Sequence, residues 1–215
     1  MFIGHFAAGL ALKKAEPKLS LGWLFISVQL LDLIWPVLTL AGFEKFAIAP
    51  GITQFTPLDF QHYPYSHSLV ASIGWGALLA ILFYFFNKNS RAAGVLFLGV
   101  TSHWVLDYIT HRPDMPVLLS GPKVGLGLWN SFAGTMIVET GMFIIGIWCY
   151  LSVIRFSSKA AKISFWVLMT FLFVINIGNA FGPVPPSESA VSYSALMMWL
   201  IVIWAFFVDQ NTVKA

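Results

Sequence analysis

Charge is what this sequence has least of. Lys and Arg number 12 and Asp and Glu 9 in 215 residues, so 10% of the chain is charged, against about 25% in a soluble globular domain. With 58% hydrophobic residues and a mean hydropathy of +0.80, that scarcity excludes an ordinary soluble fold. Thiol is scarcer still. Cys149 is the single cysteine and lies inside an apolar run, so an internal disulfide is excluded, as is a structural zinc or iron–sulfur centre built on thiolates. The net charge of +3 is not gathered into a basic patch, so no nucleic-acid binding is expected. No basic stretch precedes the first apolar segment, residues 1–12; Lys13 and Lys14 follow it, the wrong order for a cleavable signal peptide. Internal repeats are absent too, which argues against an inverted-repeat transporter.

What is present is a succession of apolar segments. Hydropathy predicts spans at 22–42, 68–87, 91–110, 129–151, 163–181 and 192–208, each near the roughly 20 residues that cross a hydrocarbon core of about 30 Å. The expected fold is all-α: one integral membrane domain over residues 1–215, a polytopic bundle of about six spans. Residues 1–12 are too short to span and read as an N-terminal half-helix or re-entrant segment, with an amphipathic surface helix as the alternative. Most breaks between spans are short. Residues 43–67 and 111–128 are long connections, and long loops in compact proteins are usually functional or disordered. Phe55, Phe60, Tyr63 and Tyr65 argue that the first is ordered and folded over the membrane face.

Counting Lys and Arg in alternate loops gives nine on one side (Lys13, Lys14, Lys18, Lys88, Arg91, Arg155, Lys159, Lys162, Lys214) and three on the other (Lys45, Arg112, Lys123). The positive-inside rule then places both termini in the cytoplasm. Depth follows from that orientation. Asp32 lies about halfway along the first span. His103 lies past the middle of the third, with Asp107 further out. His67 stands at the outer mouth of the second span, and Glu139 returns to mid-depth in the fourth. A half-helix ending at Lys14 carries His5 about 13 Å inward. Asn176 falls in the outer half of the fifth span.

Independent segments thus bring rare titratable groups to similar levels, and His103 and Asp107, four apart, share a helix face. Ionisable side chains at hydrocarbon depth are costly and mark functional sites. Imidazoles and carboxylates without thiolates suit zinc first, then manganese or iron(II). A divalent ion would offset the mutual repulsion of the carboxylates and acidify a coordinated water to a pKa of roughly 7. The expected metal set is His5, Asp32, His67, His103 and Asp107. Glu139 is the candidate general base, with Asp107 next. His62, His111, Asp114 and Asn176 are assigned outer-shell or substrate roles. Each residue also has a plain structural reading: His103 as an interhelical hydrogen-bonding residue, His67 as a cap, Asp32 as a partner for a neighbouring helix, and Glu139 protonated and bonded to Asn176 or Thr135. Asp114 would then make a turn hydrogen bond, and Asp59 would be a solvated loop residue.

Gly4-His5, Asp32, the run His62-Tyr63-Pro64-Tyr65-Ser66-His67-Ser68 and Ser102-His103 followed by Asp107 resemble the YdjM-like family of LexA-binding, inner-membrane-associated, metal-dependent hydrolases. The stretch His111–Pro116 and the run from Gly125 through Ser131 to Glu139 look like a subgroup of it. The resemblance covers most of residues 1–140. It departs at Tyr63, where the family has arginine, and at Asp32, which stands alone where the family has a pair of acidic residues. It implies a bacterial inner-membrane location and a metal-dependent hydrolytic site. Depth in the bilayer suggests membrane lipid as the surrounding partner and a lipid-linked or small-molecule substrate. Two other classes fit the same residues. One is a proton- or metal-coupled transporter or ion pathway; the other is a haem protein with His67 and His103 as axial ligands.

Overall fold

The computed structural model describes residues 1–210 and 212–214. Among them, six helices are long and apolar enough to cross a membrane, which makes this an all-helical, multi-pass membrane protein. The spans are α2 (Leu21–Leu40), α4 (Leu69–Asn87), α5 (Ser90–Thr110), α6 (Phe132–Leu151), α7 (Lys159–Phe181) and a sixth built from α8 (Glu188–Leu196) and α9 (Met198–Gln210), which meet at Met197. Their N-termini follow one rule. Ser20, Ser68, Asn89, Ser131, Ser158 and Ser187 each accept a hydrogen bond from the backbone N–H three residues on, satisfying a donor that the first turn leaves open. These caps explain the shifts from the predicted boundaries. Ser158 starts α7 four residues before its hydropathy rises, and Ser187 starts α8 before Ser192. At the head of the fourth span, residues 128–130 form a separate 3₁₀ turn ahead of α6.

The short helix α1 (Ile3–Leu12) is the centre of the bundle and not a surface helix: Ile3, Gly4, His5, Phe6, Ala7, Gly9 and Leu10 are all buried. It packs on α2, α5 and α6. Lipid offers no hydrophobic drive for helix association, so close packing and hydrogen bonds must hold such a segment. Both are present. Gly146 of α6 lets the α1 backbone approach so closely that a Cβ there would lie 2.6 Å from the Ala7 carbonyl oxygen. On the opposite flank, Phe25 packs edge-on against Phe6, with ring centroids 4.9 Å apart. At its far end Lys13, buried, donates to both carboxylate oxygens of Asp209 at 2.8 Å and to the Leu19 carbonyl at 2.7 Å. Tyr150 donates to the same carboxylate.

The two long connections are ordered and cover the opposite end. Strands β1 (Lys45–Ile48) and β2 (Leu58–His62) pair antiparallel, with Phe46 opposite Phe60. The four-residue helix α3 (Pro64–His67) follows. A minimal pair, β3 (Met115–Pro116) and β4 (Lys123–Val124), comes from the second connection. The loops lock together through Phe55 N–H to the Trp129 carbonyl and Phe132 N–H to Gln54. Beneath them lie Trp35, Phe46, Tyr63, Trp104 and Met115. A third pair, β5 (Ile154–Phe156) with β6 (Thr212–Lys214), joins the other end. Hydropathy gives no hint of these strands.

Candidate metal centre

Four segments meet under the cap. His5 comes from α1, Asp32 from mid-α2, His67 from α3, and His103 and Asp107 from α5, one helical turn apart. Asp107 is the hub: its Oδ1 lies 3.0 Å from His5 Nε2 and its Oδ2 3.0 Å from His103 Nε2. Asp32 Oδ1 lies 3.3 Å from His67 Nε2 and 3.8 Å from His103 Nε2. His67 Nε2 reaches to 3.9 Å from Asp107 Oδ2. His5, His67, His103 and Asp107 are buried, while 26% of the Asp32 side chain is accessible, so the cluster opens at Asp32. The Met1 amino group, also buried, stands 2.7 Å from Asp107 Oδ1 and sets a positive charge against that oxygen.

The hydrogen bonds behind the rings decide what the front can do. His103 Nδ1 lies 2.7 Å from the Val28 carbonyl oxygen. A carbonyl only accepts, so Nδ1 carries the proton, and in a neutral ring Nε2 holds a bare lone pair. That lone pair faces two carboxylates and has no hydrogen-bond partner. His67 is arranged likewise. Its Nδ1 is 2.7 Å from Ser66 Oγ, and Ser66 Oγ donates its only hydrogen to Glu44 Oε2 at 2.6 Å. Nδ1–H therefore donates to the serine, and Nε2 lies 3.3 Å from Asp32 Oδ1, where a protonated ring donates to the carboxylate and a neutral one offers its lone pair to a cation. Lone pairs facing carboxylate oxygens repel unless a cation lies between them. A ring nitrogen tied to a carbonyl or a carboxylate-anchored group behind, with a free nitrogen in front, is the usual pattern of a metal-ligating histidine.

Two donor sets have all their ligand atoms within 4.8 Å of one another: His5, His103 and Asp107; and Asp32, His67 and His103. The His5 and His103 rings stack face to face, 3.6 Å apart and 4° from parallel. The donor set of these residues fits a divalent cation.

Glu139 lies in the same pocket but is not bonded as expected. Its Oε2 accepts from Phe2 N–H at 3.0 Å and Gly4 N–H at 3.3 Å, satisfying two donors at the start of α1 where hydrocarbon offers none. Its Oε1 is buried without a partner. Thr135 bonds instead to the Leu128 and Ser131 carbonyls. The Asn176 amide is buried with no hydrogen-bond partner, and Gln29 on α2 is in the same condition.

The remaining candidates lie elsewhere. His62 is exposed at the end of β2, its ring against Tyr65. His111 and Asp114 belong to a second network in the cap: His111 Nδ1 is 2.9 Å from Asp114 Oδ1, and Tyr63 donates to the same oxygen at 3.2 Å. Arg112 joins Asp114 to Asp59, so Asp59 is an ion-pair partner and not merely solvated. Burial, followed by its bond to Asp114, sets the balance at His111: desolvation wins and holds its pKa below the ordinary value. Burial and the Asp114 charge push the Tyr63 hydroxyl up. Tyr63 is thus a buried hydrogen-bonding member of this cap network. The residue pair that the sequence did not suggest is Glu44 and Ser66. Glu44 lies 23 positions before His67 in an irregular loop, where no periodicity marks it.

Comparisons with protein-family models, curated proteins and solved structures find no match.

Proposed function

We propose that this chain is a membrane-embedded, metal-dependent hydrolase whose divalent metal would be held by residues among His5, Asp32, His67, His103 and Asp107. The observation that carries the reading is that Nε2 of His67 and of His103 both face carboxylates while Nδ1 of each is committed behind, to Ser66 and to the Val28 carbonyl. When bound, such an ion supplies Lewis acidity and acidifies a coordinated water near neutral pH. Zinc is the first choice for this donor set, manganese and iron(II) the next.

The chain's own groups supply the rest. Glu139 is fixed through Oε2 and leaves Oε1 open to take a proton. Asp32, the accessible member, marks where substrate enters. The substrate is a lipid or lipid-linked ester, amide or phosphoester, because the site lies within the span of the bundle and not above it. The resemblance to the YdjM-like hydrolases supports the same reading. With the excess of Lys and Arg on one side, it supports a bacterial inner membrane with both termini cytoplasmic. A haem between His67 and His103 is disfavoured: the two rings stand edge to face with centroids 5.3 Å apart, leaving no slot for a macrocycle.

The test is Glu139→Gln assayed beside wild type, in detergent with zinc, on fluorogenic lipid ester and phosphoester substrates. The reading predicts hydrolysis by wild type and a loss of about 10²–10⁴-fold in the variant, with bound metal retained. Metal flux into liposomes at an unchanged rate in Glu139→Gln, without hydrolysis by either protein, would support an ion pathway instead.

A further inference from the structure

Ser66 and Glu44 carry out a task that no ligand of the cluster can perform for itself. Glu44 sits in the loop between α2 and β1, 1% exposed. Its Oε1 accepts from the backbone N–H groups of Tyr65 and Ser66, each at 2.8 Å, and its Oε2 accepts from Ser66 Oγ at 2.6 Å. Three donors converge on one buried carboxylate, which fixes it as an acceptor and fixes the direction of the serine hydrogen. That leaves Ser66 Oγ only its lone pairs for His67 Nδ1, 2.7 Å away. A proton on His67 is therefore held at Nδ1, which leaves Nε2, 3.3 Å from Asp32 Oδ1, as the nitrogen a metal would take. His67 needs this support most among the histidines of the cluster. His5 and His103 are carried by helices packed in the bundle, α1 and α5, whereas His67 ends a four-residue helix in the cap.

We infer that Glu44, acting through Ser66, is a positioning pair that sets the tautomer of His67 and through it the affinity for the metal ion. The inference rests on the metal-site reading above. It assigns a role to an acidic residue that contacts neither an ion nor a substrate, and to a hydroxyl whose replacement leaves both backbone bonds to Glu44 in place.

The experiment uses the full chain in detergent, with zinc as the probe in competition against a chromogenic chelator. Ser66→Ala, Ser66→Thr, Glu44→Gln and His103→Ala are compared with wild type. Outer-shell partners of this kind are typically worth about 10–100-fold in metal affinity. Ser66→Ala and Glu44→Gln are expected to lose that much, Ser66→Thr to retain wild-type affinity, and the metal-free melting temperature of Ser66→Ala to match wild type. A second readout needs no metal. In ¹⁵N-histidine spectra of the metal-free protein, the resonance of His67, assigned by its loss in His67→Gln, should report the Nδ1-protonated tautomer in wild type and a tautomer mixture in Ser66→Ala.

Wild-type affinity and an unchanged tautomer in Ser66→Ala, with affinity lost in His103→Ala, would overturn the positioning pair while leaving the site standing. A lowered melting temperature in Ser66→Ala with unchanged affinity would also overturn it, as the mark of a purely structural role. Equal zinc affinity in wild type and His103→Ala would overturn the site, and the inference with it.

Discussion

The two ends of α1 hold buried charge in opposite ways. At its C-terminal end Lys13 has three N–H groups, and three acceptors meet them: both oxygens of Asp209 and the Leu19 carbonyl. That network is closed, so it fixes α1 to α9 and leaves nothing over for a ligand. At the N-terminal end the balance runs the other way. Asp32, Asp107 and Glu139 bring more acceptor oxygens than the Met1 amino group and the Phe2 and Gly4 N–H groups occupy, while His67 and His103 commit Nδ1 to Ser66 and Val28 and turn Nε2 to the carboxylates. His103 Nε2 and Glu139 Oε1 are buried without hydrogen-bond partners. Buried charge is therefore not in itself the sign of a site. The sign is a surplus of acceptors converging on one point. The Tyr63–His111–Asp114–Arg112 group in the cap falls with the closed kind, since its charges pair with one another.

Predictions follow that contrast, beginning where the effect is largest. His103→Ala and Asp107→Asn should each weaken metal binding by more than the about 100-fold upper range of outer-shell changes, with the variants still extractable and folded by circular dichroism. Lys13→Met should do the reverse: a loss of about 3–5 kcal/mol in stability, as expected when a buried pair is broken from one side, read by thermal unfolding in detergent, with metal affinity unchanged once folded. Pairing it with Asp209→Asn should restore much of the loss. A smaller effect is expected at the α1–α6 crossing. Gly146→Val drives a side chain into the Ala7 backbone and should cost about 1–3 kcal/mol while also weakening the metal by displacing His5. Gly141→Val on the same helix, where an added Cβ meets nothing within 4 Å, should do neither. His62→Ala, exposed and outside both networks, should change metal content not at all and stability by no more than about 0.5 kcal/mol.

Much of this was legible in the chain itself because a membrane imposes a ruler. A span advances about 1.5 Å per residue, so the position of Asp32, His103 or Glu139 within its segment fixes its depth, and groups at one depth in a small bundle are forced near one another. The half-helix at residues 1–12 could be placed by the same ruler through Lys14 and His5. Tertiary detail escapes that ruler. Depth alone put Asn176 beside Glu139, but rotation about the helix axis decides what a side chain meets, and Glu139 turns to the N–H groups of Phe2 and Gly4 instead. The sequence assigns His67 as a ligand and His62 an outer-shell role, and the fold of α3 buries the first while the second stands exposed at the end of β2. Glu44 escaped because a loop has no period from which to read a direction.

The account stands or falls on the metal content of the purified protein. Elemental analysis of detergent-extracted wild type, His103→Ala and Lys13→Met after zinc loading and desalting should give stoichiometric zinc in wild type, a clear loss in His103→Ala and the wild-type value in Lys13→Met. The same occupancy in all three, or none in wild type, would contradict it.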